Sequence, residues 1–235
     1  MGHWWKGAVR RAALRASLIV GLLAVPAAML PVGTAVADGI CTTLIAGQYQ
    51  GSSLVVSSGE ACLNDATITG SVVVRPGASL QMHNSTVGGA VNSNGATDIT
   101  ICSSTLGSLS VLNSTGNVLV GRAGEVEGCR GNIIKGSVTL QGNDANTISC
   151  ASTQACQPEQ GYGGVVLGAN TINGSVNFLD NVHKSGGDIG NVIAGNDIGG
   201  SLVCLRNAPP PNDAGYPNWV GAATVGQCLN LNPPV

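Results

Sequence analysis

Within the stretch "FLDNVHKSGGD" (178–188), Asp180, His183, Lys184 and Asp188 place two acids, an imidazole and an ammonium within nine residues. A polysaccharide lyase needs such components: acids to hold a cation, and a base to take a proton from a sugar carbon. A hydrolase would instead need two carboxylates facing each other across a groove. Glu159 is the acid that could join Asp180, His183 and Lys184 in such a groove. The simpler reading is a solvated loop beside Gly186 and Gly187, and that is the expectation here. Arg122, Glu125, Glu127 and Arg130 around Cys129 read the same way, as surface ion pairs. Asp65, Asp98, Asp144 and Asp197 are isolated, and Asp65 and Asp144 suit turns in which the carboxylate caps its own backbone. His83 stands alone and is expected to face water. The chain has neither a G-x-S-x-G nucleophile elbow nor a Walker loop. No catalytic residue, cofactor or metal is therefore assigned.

The other reactive side chains are eight cysteines: Cys41, Cys62, Cys102, Cys129, Cys150, Cys156, Cys204 and Cys228. An even count outside the cytoplasm reads as four disulfides. Metal binding competes weakly, because no pair has C-x2-C spacing and no histidine lies near Cys150 and Cys156. On the order of 100 pairings are formally open. Proximity favours Cys150–Cys156 and Cys204–Cys228, which leaves Cys41–Cys62 and Cys102–Cys129 as the remainder.

The compartment follows from residues 1–37. Lys6, Arg10, Arg11 and Arg15 precede the apolar run "SLIVGLLAVPAAML" (17–30), and "AVA" (35–37) supplies small residues for cleavage after Ala37. The uncharged run is short for a membrane span and contains Pro26. A cleaved signal peptide and a secreted product are expected, with no membrane attachment afterwards. The remaining chain keeps six basic residues against twelve acidic ones, a formal charge of −6. Without a basic patch or an aromatic platform it is not expected to bind nucleic acid.

What could position any of these residues is a repeat. Ser53, Ser71, Ala90 and Ser108 recur at steps of 18, 19 and 18, each followed by Leu54, Val72, Val91 or Leu109. A second column reads Cys62, Leu80, Ile99 and Val118. The first column continues through Ser137, Ser175 and Ser201 after steps of 29, 38 and 26, making seven rows. The apolar spacing within rows has period two and Val, Ile and Thr dominate, so the elements are strands. A β-sandwich would also bury alternate residues, but it gives no reason for one column to return at fixed spacing. A solenoid does, because each residue stacks on its counterpart about 4.8 Å along the axis.

The expected fold is all-β: a single-stranded parallel β-helix of about seven coils, right-handed by the usual rule for parallel crossovers, disulfide-stapled and capped at its ends. Val72, Val91, Leu109, Val138, Val176 and Leu202 should stack inside. Gly70, Gly89, Gly136, Gly174 and Gly200 at the strand junctions are read as supplying backbone angles closed to other residues. Asn84, Asn113, Asn132, Asn170 and Asn196 should bond backbone groups at the corners. Insertions fall at 121–131, 151–164 and 180–195. Residues 38–206 form the helix with its N-terminal cap. Residues 207–235 form a proline-rich C-terminal cap in which Trp219, Pro209, Pro210 and Pro211 cover the last coil. Thr67, Thr86 and Thr105, with Thr171 later, make one threonine column, narrow for an ice-binding face.

The T-x-x-G-x-V-x-V rows and the ending "GGSLVCLRNAPPPNDAGYPNWVGAATVGQC" (199–228) resemble those of small secreted β-solenoid repeat proteins of high-GC Gram-positive bacteria (actinobacteria). The resemblance covers about 50–228. It implies a secreted, disulfide-bonded repeat protein at or near the cell surface, and brings no catalytic residues. More loosely the rows resemble the parallel β-helix proteins, among them polysaccharide enzymes, phage tail spikes and adhesins. The function expected is a secreted, non-enzymatic structural or surface-interaction protein, adhesin-like or scaffold-like. Its partners would be cell-wall or extracellular polysaccharide or surface proteins. A polysaccharide lyase or hydrolase is the alternative. A monomer is expected, with end-to-end association as its competitor.

Overall fold

A computed structural model describes residues 41–124, 128–145, 164–183 and 190–232. Their nineteen strands form one curled sheet in which every strand pairing is parallel, so the chain winds in one sense and stacks on itself in a solenoid-like architecture. Three ladders run along the stack. Ladder A contains β1 (Thr43–Gln48), β3 (Glu60–Ile68), β5 (Ser79–His83), β7 (Asp98–Cys102), β9 (Val118–Val120), β12 (Val165–Gly168) and β15 (Val192–Ala194). Ladder B takes the ends of β1 and β3 and the starts of β6 (Thr86–Asn94) and β8 (Thr105–Leu112). It continues through β10 (Ile133–Ile134), β13 (Thr171–Ile172), β16 (Asp197–Ile198) and β18 (Trp219–Val220). Ladder C joins β2 (Leu54–Val56), β4 (Val72–Val74), the ends of β6 and β8, β11 (Val138–Gln141), β14 (Val176–Leu179), β17 (Leu202–Leu205) and β19 (Thr224–Gly226). Three short strands and their turns account for the 18- to 19-residue period.

The first column stacks as its spacing requires. Leu54, Val72, Val91, Leu109, Val138, Val176 and Leu202 are in direct register, and all are buried. Thr224 adds an eighth member where the sequence motif has faded. The second column needs a correction. Leu80 pairs with Ala61, not Cys62, and Cys62 pairs with Gln81. A strand alternates its side chains, so this shift by one turns Cys62 away from the axis, where it bonds Cys41. Two further disulfides join Cys102 to Cys129 and Cys204 to Cys228, closing separations of 27 and 24 residues. Cys150 and Cys156 lie outside the described residues.

The junction glycines also differ from expectation. Gly70, Gly89, Gly136, Gly174 and Gly200 are absent from the left-handed region, which holds other glycines such as Gly77 and Gly95. They are small because coils touch there. A Cβ on Gly136 would lie 2.8 Å from the Gly107 carbonyl oxygen, one on Gly174 2.8 Å from that of Gly136, and one on Gly200 2.8 Å from that of Gly174. This corner, between ladders B and C, stays tight in every row. The longer connections leave at the other two corners, 121–132 between A and B and 142–164, 180–191 and 206–212 after C.

At those two corners a file of asparagines is interior, whereas Asn84 and Asn113 are exposed at left-handed turns with φ of 48° and 51°. Asn132, Asn170, Asn196 and Asn218 are stacked and buried; the amide oxygens of Asn170, Asn196 and Asn218 each accept the backbone N–H and the amide of the asparagine before, at 2.8–3.0 Å, and that of Asn132 accepts the Ser104 N–H at 2.9 Å. Asn143, Asn181 and Asn207 repeat the arrangement at the second corner. Both files end in one C-terminal turn. Gln227 Oε1 accepts from Asn207, and the Leu231 carbonyl accepts the Asn218 N–H at 2.9 Å. Cys228 and Leu231 are buried beneath that turn, joining the core. Trp219 does not cover the core. It is 67 % exposed on the outer side of β18, and its neighbour Val220 points inward instead.

Candidate functional site

Asp180 follows β14 with φ of 53°, a left-handed corner from which its carboxylate projects outward. Arg206 occupies the equivalent corner one coil on, with φ of 55°. Its Nε and Nη2 donate to the two carboxylate oxygens at 2.5 and 2.8 Å. This pair holds the Asp180 carboxyl below its ordinary pKa, chiefly through the Arg206 hydrogen bonds, with Gln141 contributing, and raises that of Arg206. Asp180 is thus an ionised partner of a guanidinium.

His183 has a different setting. Its Nδ1 lies 3.3 Å from the Ala145 carbonyl oxygen, its backbone N–H donates to Ala208 at 2.8 Å, and the ring is buried. Three residues of chain carry it from an exposed corner into the interface between coils. Asn181 between them is also fully buried, donating to the Leu140 carbonyl at 2.9 Å. The solvated-loop expectation therefore does not hold for His183. Lys184, Asp188 and Glu159 lie outside the described residues, as do Glu125 and Glu127.

The remaining ionisable candidates are dispersed. Asp65 sits at a left-handed corner with φ of 51°. Asp98 accepts the Asn117 N–H at 3.0 Å, and Asp144 forms a parallel bridge to Val182. Asp197 is exposed on ladder B. His83 departs from expectation: it is partly covered, and burial holds its imidazole below the ordinary pKa against an opposing hydrogen bond to the Gly128 backbone. The insertion after β9 provides that cover, brought back over the coils by Cys102–Cys129.

A larger feature is the outer row of ladder C. Val55, Val73, Asn92, Ser110, Thr139, Asn177, Val203 and Val225 stand in register along its whole length, all at least partly exposed. No member is charged. Beside it, Val73, Arg75, Pro76, Asn92, Asn94, Ser110 and Leu112 line a shallow groove. The row was readable as the alternate positions of the first column, yet strand spacing alone does not say which outer face remains uncovered.

No family model, curated protein or solved structure matches the chain.

Proposed function

We propose that this is an exported, non-enzymatic structural or surface-interaction protein of the cell envelope or extracellular matrix. In this reading the wound sheet is a right-handed, single-stranded parallel β-helix of about seven full coils, capped at its C-terminal end. The outer row of ladder C carries the reading. Eight uncharged side chains repeat at about 4.8 Å spacing beside a corner that no insertion crosses. Such a face offers amide, hydroxyl and methyl groups at a fixed interval. It suits an extended, largely neutral partner, for which cell-wall or extracellular polysaccharide and the surfaces of envelope proteins are the candidates. The resemblance of the rows to secreted solenoid proteins and the leader-like residues 1–37 support export.

Co-sedimentation of the processed protein with purified cell-wall polysaccharide tests this. Binding should fall about tenfold or more when Val73, Thr139 and Asn177 are all changed to Glu, with the circular dichroism spectrum unchanged. Loss of none of the binding in that variant would refute the face. Release of soluble saccharide that disappears in His183→Ala would establish the lyase or hydrolase alternative.

A further inference from the structure

The shallow groove beside ladder C is bordered by a turn whose backbone is held on both sides. Arg75, Pro76, Gly77 and Ala78 follow β4 directly. Proline fixes φ at the second position, Gly77 has φ of 77° at the third, and the Ala78 N–H donates to the Arg75 carbonyl at 3.1 Å. The Arg75 N–H donates to the Val56 carbonyl of the coil before at 2.9 Å, and the Gly77 N–H to the Gly95 carbonyl of the coil after at 2.8 Å. A Cβ on Gly95 would lie 3.3 Å from that of Pro76, so the proline sits close over the following coil. Arg75 and Pro76 thus project from a fixed support at the border of a groove of about 370 Å³.

The groups around that groove are rich in hydrogen-bond donors, and no acid lines it. Among the described residues Arg75 has no ion-pair partner, whereas Arg206, which follows β17 of the same ladder, is taken by Asp180. The Asn94 amide oxygen already accepts from Asn113 Nδ2 at 3.0 Å, so what Asn94 has left to offer is N–H. Asn92 and Ser110 add an amide and a hydroxyl in register with Val73, and the three coils span about 10 Å at the spacing of paired strands. Val73, Pro76 and Leu112 supply apolar surface among these polar groups.

We infer that this groove is a subsite for the acidic unit of a polysaccharide whose repeat carries one carboxylate, held by Arg75. A guanidinium matches a carboxylate with two parallel hydrogen bonds. The amides and the hydroxyl suit sugar hydroxyls, and the apolar side chains suit the C–H faces of a ring. Three coils are close to the length of a disaccharide, and one guanidinium serves that length. The processed chain carries more acidic than basic residues, so its overall field does not draw an anion and recognition is local to Arg75. The inference rests on ladder C being the binding face and adds the charge its partner must carry.

Isothermal titration calorimetry of the processed protein tests it. The probes are a hyaluronan oligosaccharide, with one glucuronate per disaccharide, and the same oligosaccharide after reduction of its carboxyl groups to alcohols. The acidic form should bind at least about tenfold more tightly at low salt, an advantage that narrows as ionic strength rises. Arg75→Gln should remove the difference, whereas Lys135→Gln, the same loss of charge at an exposed site outside the groove, should keep it. Should Arg75→Gln fail to fold, the side-chain amide NMR signals of Asn92 and Asn94 in the wild type supply a second readout and should shift more with the acidic form. Equal affinity for the two forms, binding of neither, a preference that survives Arg75→Gln, its loss in Lys135→Gln, or unmoved amide signals overturns the subsite. Cell-wall co-sedimentation separates this result from the broader reading. Binding there that still depends on Thr139 and Asn177 leaves the face standing when the subsite fails. Recognition through Arg75 without that dependence tells against the face alone.

Discussion

At the scale of single residues, the interior polar atoms are either fully committed or conspicuously idle. Asn170 accepts from Asn132 and donates to Asn196 Oδ1 and to the Val120 carbonyl at 2.8–2.9 Å. Asn170→Ala leaves donors and acceptors on three coils unpaired in a buried site, so denaturant unfolding should show a loss of about 3 kcal/mol. Ser93 is the opposite case. Its Oγ is buried with no hydrogen-bond partner, in a column between Val74 and Val111. Ser93→Val should raise stability by about 1 kcal/mol in the same measurement. His83 adds a pH effect. Its folded pKa lies below the unfolded value of about 6.5, so the unfolded chain binds the proton more readily. Stability should therefore be greatest above that value and fall as pH drops through the folded pKa. His83→Asn should flatten the curve of unfolding free energy over that interval.

At the scale of elements, the tight corner between ladders B and C sets how close successive coils can lie. The glycines there face carbonyl oxygens of the coil before, and Gly174 sits between Gly136 and Gly200 in that file. Gly174→Ala would force the coils apart against the backbone bonds from Gly174 to Gly136 and from Gly200 to Gly174, both 3.0 Å. Overpacking of this kind is expected to lower stability by about 2–3 kcal/mol, read as a shift in the denaturation midpoint at constant slope. The other two corners behave differently because buried asparagine side chains bridge the coils in addition to backbone bonds such as that from the Val182 N–H to the Asn143 carbonyl at 2.8 Å. An asparagine file tolerates a connection of any length before it, provided the chain returns in register. This is why the steps can grow to 29 and 38 residues without breaking the column.

At the scale of the molecule, stability is additive along the stack, since each coil contacts only its neighbours. The terminal turn then matters beyond its size: it ends both asparagine files and covers the last apolar layer. Deleting residues 207–235, with Cys204 changed to Ser, removes β18, β19 and Gln227 together and exposes Leu202 and Ile198 at the new end. The deleted protein should aggregate or grow into fibres, whereas the full processed chain should remain a discrete species by light scattering. A truncated form that stays discrete would show that the last coils need no such protection.

The sequence by itself determined the ladder architecture, because a fixed step of 18 or 19 residues with period-two alternation satisfies a stacked strand and little else. Seven members of the first column were legible as Leu54 through Leu202; proximity named Cys204–Cys228, and Cys41–Cys62 and Cys102–Cys129 followed as the remainder, all three of which the structure contains. Tertiary structure decided what alternation leaves ambiguous. One residue of register separates a core position from an outward one, which is why Ala61 and not Cys62 stacks beneath Leu80. It also decided the fate of the densest ionisable group. Asp180 and His183 are three apart in sequence, but one is held by Arg206 from the next coil and the other by carbonyls of Ala145 and the chain near Ala208. Those partners stand 26, 38 and 25 residues away, and only the winding of the chain brings them within a few ångströms.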